Sequence, residues 1–236
     1  MQHFLLKQKT HKDKVYMKNP FSSYGLPLLV IVAVLFIDQA TKFWVKLNME
    51  ISEEIPIISD WFIIHFTENN GMAFGMEFAG EWGKLFLSVF RIVAVIAIGW
   101  YLFSLPKKGV SKGLMVSGAL VFSGALGNII DSAFYGVIFN DSYYQLATLF
   151  PEEGGYSTWL YGRVVDMLYF PLMEGFLPDW FPIWGGEHFV FFRPVFNIAD
   201  AAITCGVASI LLFHRDFFKE EEENSQIVGE NILEDS

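Results

Sequence analysis

Two shortages narrow the class of this chain: it has almost no cysteine and little charge. Cys205 is the only thiol, so no internal disulfide framework exists. Asp, Glu, Lys and Arg make up 18% of the 236 residues, where soluble domains carry about 25%. His65, His188 and His214 are too far apart in the chain to read as a metal site, and no His-Glu-x-x-His occurs, so the common zinc-hydrolase signature is missing. No internal repeat is found either.

What fills the chain instead is apolar. Hydrophobic residues reach 53%, aromatics 17%, and the mean hydropathy is +0.37. With several apolar runs of about 20 residues, this is the composition of a polytopic membrane protein. Most of the net charge of −10 lies in residues 216–236, where eight acids face Lys219 alone. That stretch reads as a solvated tail.

Residues 1–25 carry five lysines against Asp13 and precede an apolar run from Leu26. No small-x-small cleavage site follows, so a retained first helix over about Leu26–Leu47 is expected rather than a signal peptide. Further spans are expected at Leu85–Leu105, Gly113–Ala133 and Val195–Phe213, the second ended by Pro106-Lys107-Lys108-Gly109. The domain reading is a basic cytoplasmic tail (1–25), a four-helix membrane domain (26–214) and an acidic cytoplasmic tail (215–236). Ten of the sixteen Lys and Arg flank one side of these spans, which the positive-inside rule makes cytoplasmic, with both termini inside.

The outer side then holds two long connections, 48–81 and 132–194. Glu54 to Phe66 alternates and is rich in isoleucine, which predicts strands. For 132–194, strands, reverse turns and an interfacial helix around Trp159–Tyr169 are expected. Six of seven tryptophans fall at or beyond the outer helix ends, as an interfacial belt requires. The fold class is therefore mainly α: four transmembrane helices, a small extracytoplasmic β-rich platform, and a long outer loop between helices three and four. Ala119, Ser123 and Gly127 on the third helix, and Ala201, Cys205 and Ser209 on the fourth, form small-residue stripes that favour close packing.

Polar residues inside these runs gather at one depth. Asp38 and Lys42 are four apart and share a face. Asn128 and Asp131 are three apart near the outer end of the third helix; Asn197 and Asp200 are three apart at the start of the fourth. Asp166, in Gly162-Arg163-Val164-Val165-Asp166, comes from the adjoining loop, and Asn69-Asn70-Gly71 hangs from the same side. Lys46 is expected to snorkel to headgroups, and Arg91 to reach the outer interface. An aspartate inside an apolar helix is costly, about 2.5–3.5 kcal/mol on insertion scales. Two that meet could share a proton and perform acid–base chemistry.

These residues resemble lipoprotein signal peptidase (signal peptidase II) over about Leu26–Phe213. The boxes are Asp38-Gln39-Ala40-Thr41-Lys42, Asn69-x-Gly71-x-Ala73-Phe74, Gly127-Asn128-x-x-Asp131, Val164-Val165-Asp166 and Phe196-Asn197-x-Ala199-Asp200. The resemblance implies an aspartic endopeptidase of the cell inner membrane, with Asp166 and Asp200 as catalytic dyad at the extracytoplasmic side. Asp38, Lys42, Asn69, Gly71, Asn128, Asp131 and Asn197 would shape the site. The implied substrate is a diacylglyceryl-modified prolipoprotein. Membrane lipids are the other partners; no nucleic acid, metal or cofactor is expected, and a monomer is. Two departures stand out. The family usually has arginine after the aspartate matching Asp131, where this chain has Ser132. The 132–194 connection is also long, with extra aromatic sequence at about 139–160 and 171–190. Arg163, three residues before Asp166, either supplies the missing charge to the dyad or binds headgroups.

The rival classes are an ion-coupled transporter, other intramembrane proteases and a non-catalytic scaffold. Against the first, the polar residues crowd one half of the membrane and none continues inward. Against the second, Gly-x-Gly-Asp and Gly-x-Ser-Gly are absent. A scaffold would not need both Asp166 and Asp200.

Overall fold

In hydrocarbon a backbone must satisfy its own polar groups, so long apolar runs become helices. The computed structural model describes residues 20–59, 61–69, 80–171, 173–176, 178–182, 185–191 and 194–217. Among the described residues, three helices have the length and composition to cross a membrane: α1 (Pro20–Asn48), α2 (Gly80–Ser104) and α3 (Lys112–Ile130). After α2 the chain tightens into a 3-10 turn, Leu105–Lys108, containing Pro106, and Gly109 reverses it with φ 69°. Ser111 then caps α3, its side chain accepting the Leu114 N–H. The regular part of α3 ends at Ile130, short of the expected Ala133, and passes through a π turn, Asp131–Tyr135, into a last helical turn, Gly136–Ile138. Such turns are frequent at functional sites.

The fourth helix, α4, runs Ile198–Phe213. It starts three residues later than the sequence pattern suggests, because Asn197 is its cap. At 16 residues it is about 24 Å long, less than the hydrocarbon thickness of about 30 Å.

Helix α4 lies against α3, and the seam is made by missing side chains. A Cβ on Gly124 would stand 2.2 Å from the Ala199 carbonyl oxygen, and one on Gly206 would stand 2.7 Å from that of Ser117. Ser117 Oγ donates to Ser209 Oγ at 2.8 Å across it. Ser209 therefore lies on the seam as expected, whereas Ala119 packs against Leu102 and Ile31 and Cys205 is exposed.

Among the described residues, the two long connections build two antiparallel sheets. Strands β1 (Glu54–Ile58), β2 (Phe62–Asn69) and β3 (Val164–Tyr169) form the first, in that order. Strands β4 (Met173–Phe176) and β5 (His188–Phe191) form the second. The stretch expected as an interfacial helix, Trp159–Tyr169, is instead lead-in and strand. Its Val164-Val165 pair suits a pleated surface, and the edge of β2 offers it partners. Beneath β2 and β3 lies a core of Val45, Met49, Phe66, Tyr135, Phe139, Ala147, Val165 and Met167. Trp44, Trp61, Trp82, Trp159 and Trp180 are all exposed. Most of the basic N-terminal tail, Gly71 with its loop, Trp184, and the acidic tail from residue 218 lie outside the described residues.

Candidate active site

Among the described residues, the polar groups carried into the end of the bundle pair with one another. Asp38 and Lys42, one turn apart on α1, pair at 2.9 Å, and Lys42 Nζ also lies 2.8 Å from Asp131 Oδ2. All three side chains are fully buried. Its third partner is Asn128 Oδ1, at 3.0 Å. An ammonium has three protons, and here each finds an oxygen. The backbone allows this approach because residue 127 is glycine: a Cβ there would come within 2.7 Å of Asp38 Oδ2.

Each carboxylate of this triad also holds a second element. Asp38 Oδ1 accepts the Ala199 N–H at 2.9 Å, so it satisfies one of the free donors at the start of α4. Asp131 Oδ2 accepts the Val165 N–H at 3.3 Å, which fastens β3 beside it. Gln39, quoted in the first box but given no role of its own there, donates to Asp38 and to Asp131 Oδ1 and accepts from the Tyr135 hydroxyl. Its place in that box is the one signal that marks it.

Asp166 and Asp200 reach this framework from different elements. Strand β3 carries Asp166, opposite Thr67 of β2. Phe196 bridges Leu168 by two backbone hydrogen bonds of 2.7 and 3.0 Å, and so lays the start of α4 against β3. Asn197 and Asp200 then form a reciprocal capping box. The Asn197 side-chain Oδ1 takes the Asp200 N–H at 2.9 Å, which turns the side-chain NH2 toward Asp166 Oδ1 at 2.7 Å. Asn128 donates to Asp200 Oδ1 at 2.8 Å. Asn69 donates to Asp166 Oδ2. The sequence pattern Asn-x-x-Asp before an apolar run is readable as a cap; the orientation of its amide is not.

The environment sets the charge. Burial, and then the nearby Asp200 carboxylate, push the Asp166 carboxyl up to about 7. The Lys42 ammonium acts against that rise at Asp166, and Arg91 on α2 lies within electrostatic reach of Asp200.

The sequence leaves Arg163 either beside the dyad or at lipid headgroups; the structure pairs it with neither Asp166 nor Asp200. Its guanidinium is 3.1 Å from Glu68 and 3.0 Å from Asp141, stacked between Tyr156 and Tyr143. Its charge is neutralised there. Ser132 is buried and returns its hydroxyl to the Asn128 carbonyl. Lys46 does not snorkel: its side chain is fully buried and paired with Glu68. Gly162 earns its place by a close approach, since a Cβ there would meet the Asp131 carbonyl oxygen at 2.2 Å.

A bundle of apolar helices holding two aspartates between asparagine amides defines a membrane-embedded protein with a carboxylate site. Comparison narrows the class. Residues 30–215 match the model of the family described as Signal peptidase (SPase) II. The chain is 47% identical over 208 residues to the lipoprotein signal peptidase of Porphyromonas gingivalis, covering 88% of this chain and 90% of that protein. It is 38% identical over 223 residues to that of Amoebophilus asiaticus, covering 92% and 89%. A solved structure of a bacterial membrane enzyme is similar with a TM-score of 0.49 and 24% identity, over 84% of this chain and 91% of that one. The chain belongs to the signal peptidase II family, and is a membrane peptidase of that family.

Proposed function

We propose that this chain is an intramembrane aspartic endopeptidase acting on diacylglyceryl-modified prolipoproteins. It removes their signal peptide by cutting before the lipid-modified cysteine. The observation that carries the reading is the Asn197 bridge, whose amide holds Asp166 and whose backbone N–H faces Asp200 Oδ2 at 3.3 Å.

Peptide hydrolysis needs an activated water and a polarised carbonyl. Two nearby carboxyls supply both when they hold one proton between them, because like charges at short range do not both ionise cheaply. The shift of Asp166 to about 7 favours one shared proton at neutral pH. The ionised partner takes a proton from water, and the water oxygen attacks the scissile carbonyl carbon. The protonated partner donates to the carbonyl oxygen. Collapse of the tetrahedral intermediate returns a proton to the leaving amine and breaks the C–N bond. The two carboxyls titrate as one unit. Asn128 and Asn197 hold them, while Lys42 holds Asn128, Asp38 the start of α4 and Asp131 β3.

The topology that goes with this reading has four spans, α4 included, both termini cytoplasmic, and the site at the outer face of the inner membrane. There the lipid of the substrate stays in the bilayer while its peptide meets water. The test is mass measurement of a purified prolipoprotein incubated with the protein, with and without its diacylglyceryl group. Cleavage before the cysteine only in the modified substrate is expected; no cleavage of either would end the reading.

A further inference from the structure

A second group of buried charges lies beneath the sheet, apart from the Asp38–Lys42–Asp131 triad. Lys46 of α1 and Glu68 of β2 pair with both side chains fully buried. Glu68 Oε2 accepts no hydrogen bond among the described residues; what faces it is the Arg163 guanidinium at 3.1 Å. Arg163 continues to Asp141 at 3.0 Å, and Lys46 to the buried Ser142 hydroxyl at 2.8 Å. Two cations thus meet two anions, with Tyr156 and Phe139 closing over Lys46.

Half of this cluster comes from the connection after α3. That connection is tied down along its length: Ala147 N–H donates to the Lys46 carbonyl, Tyr156 N–H to that of Phe139, and the Tyr156 hydroxyl accepts the Arg163 N–H at 2.7 Å. Strand alternation connects the cluster to the dyad. Thr67 and Asn69 share the face of β2 that looks toward Asp166, whereas Phe66 and Glu68 take the opposite one. A slip of one residue would reverse every side chain, carrying Asn69 away from Asp166 and Glu68 away from its cations.

We propose that Arg163, Glu68, Lys46 and Asp141 form a clamp that fixes the β2–β3 register and so holds Asn69 against Asp166, with the 139–163 segment supplying its outer half. The proposal rests on Asp166 and Asp200 being the reacting pair. The four are positioning residues, because they act through Asn69 and β3. A segment that lengthens the outer connection thereby becomes part of what keeps the dyad in place.

The test is steady-state cleavage of diacylglyceryl-modified prolipoprotein by the full chain in detergent. Arg163→Gln is expected to lower kcat about tenfold with KM within about twofold, as small misplacements of reacting groups do. Arg163→Lys should recover most of that loss by restoring the charge. The double variant Arg163→Gln with Asn69→Ala should be no slower than Asn69→Ala alone, since the two act through one contact. Losses that multiply, or a rise in KM at unchanged kcat, would overturn the clamp. If Arg163→Gln fails to accumulate, Asp141→Asn at the half-exposed rim carries the same cycle, with an expected drop of about threefold. Asp166→Asn is run alongside: if it cleaves, the dyad falls and the clamp with it. If it is dead and Arg163→Gln matches the parent protein, only the clamp falls.

Discussion

Lys42 Nζ donates to Asn128 Oδ1 at 3.0 Å, and that contact decides which way the Asn128 amide faces. An ammonium cannot accept a hydrogen bond, so the carbonyl oxygen of Asn128 must turn to Lys42 and its NH2 to Asp200. A lysine that touches neither member of the proposed dyad in this way orients one of the groups that does.

Replacing Lys42 by methionine should therefore do two things. Asp38 and Asp131 would be left as buried carboxylates without a cation, a loss of about 3–5 kcal/mol. The Asn128 amide would be free to flip. Thermal unfolding of purified protein should show a large drop in Tm, and cleavage should vanish. A variant with parental Tm would contradict the triad's structural weight.

Asn197 combines two jobs that substitution can separate. Serine keeps a side-chain acceptor for the Asp200 N–H, so Asn197→Ser should keep the helix cap and be more stable than Asn197→Ala by about 1 kcal/mol. It lacks the NH2 that reaches Asp166, so turnover should fall by about one to two orders of magnitude. Alanine should lose both. Equal activity of Asn197→Ser and the parent would remove the amide bridge from the mechanism.

Much of this arrangement is legible in the chain. Asp38 and Lys42 declare their pairing by spacing, the strands of the 48–81 connection by alternation, and Asn197 with Asp200 by a one-turn interval before an apolar run. The failures share a cause. Lys46 stands one turn after Lys42 on the same face, yet its partner Glu68 comes from a strand, and helix-to-strand pairing leaves no local pattern. Arg163 is drawn from the dyad by Asp141, a residue of the long connection whose path no spacing predicts. Trp159–Tyr169 reads as interfacial because of its aromatics; tertiary pairing with β2 outweighs that.

Topology can be read with an impermeant thiol reagent on intact membranes, with Cys205 replaced. Glu53, Glu153, Asp179 and Lys108 are all exposed, so burial would not mask a result. Single cysteines at the first three should react from outside, and one at Lys108 should not. Labelling at Lys108 would reverse the orientation.

The raised Asp166 carboxyl has a consequence for stability against pH. Unfolded, this group ionises near its ordinary value of about 3.9; folded, near about 7. Between those values the folded state binds more protons, so its contribution is complete below the lower value and is lost as pH rises through the upper one. Asp166→Asn cannot titrate. Its unfolding free energy should fall less between pH 4 and pH 7 than the parent's, measured by thermal scans across that range. Parallel curves would mean that the carboxyl is not shifted.

The dyad itself makes the sharpest demand. Asp166→Asn and Asp200→Asn keep shape but remove the proton that must move from water to one carboxyl and from the other to the carbonyl oxygen. Each should abolish cleavage of diacylglyceryl-modified prolipoprotein while the protein stays folded and binds substrate. The double variant should be hardly worse than either single one, because groups acting as a unit are non-additive. Asp131→Asn should differ in kind. Its carboxylate holds Lys42 and the Val165 N–H, so its loss should appear as lower stability with residual turnover. Cleavage by either dyad variant would refute the assignment. If Asp131→Asn were folded and dead while Asp166→Asn still cut, the reacting pair would be Asp131 with Asp200, and Asp166 the support.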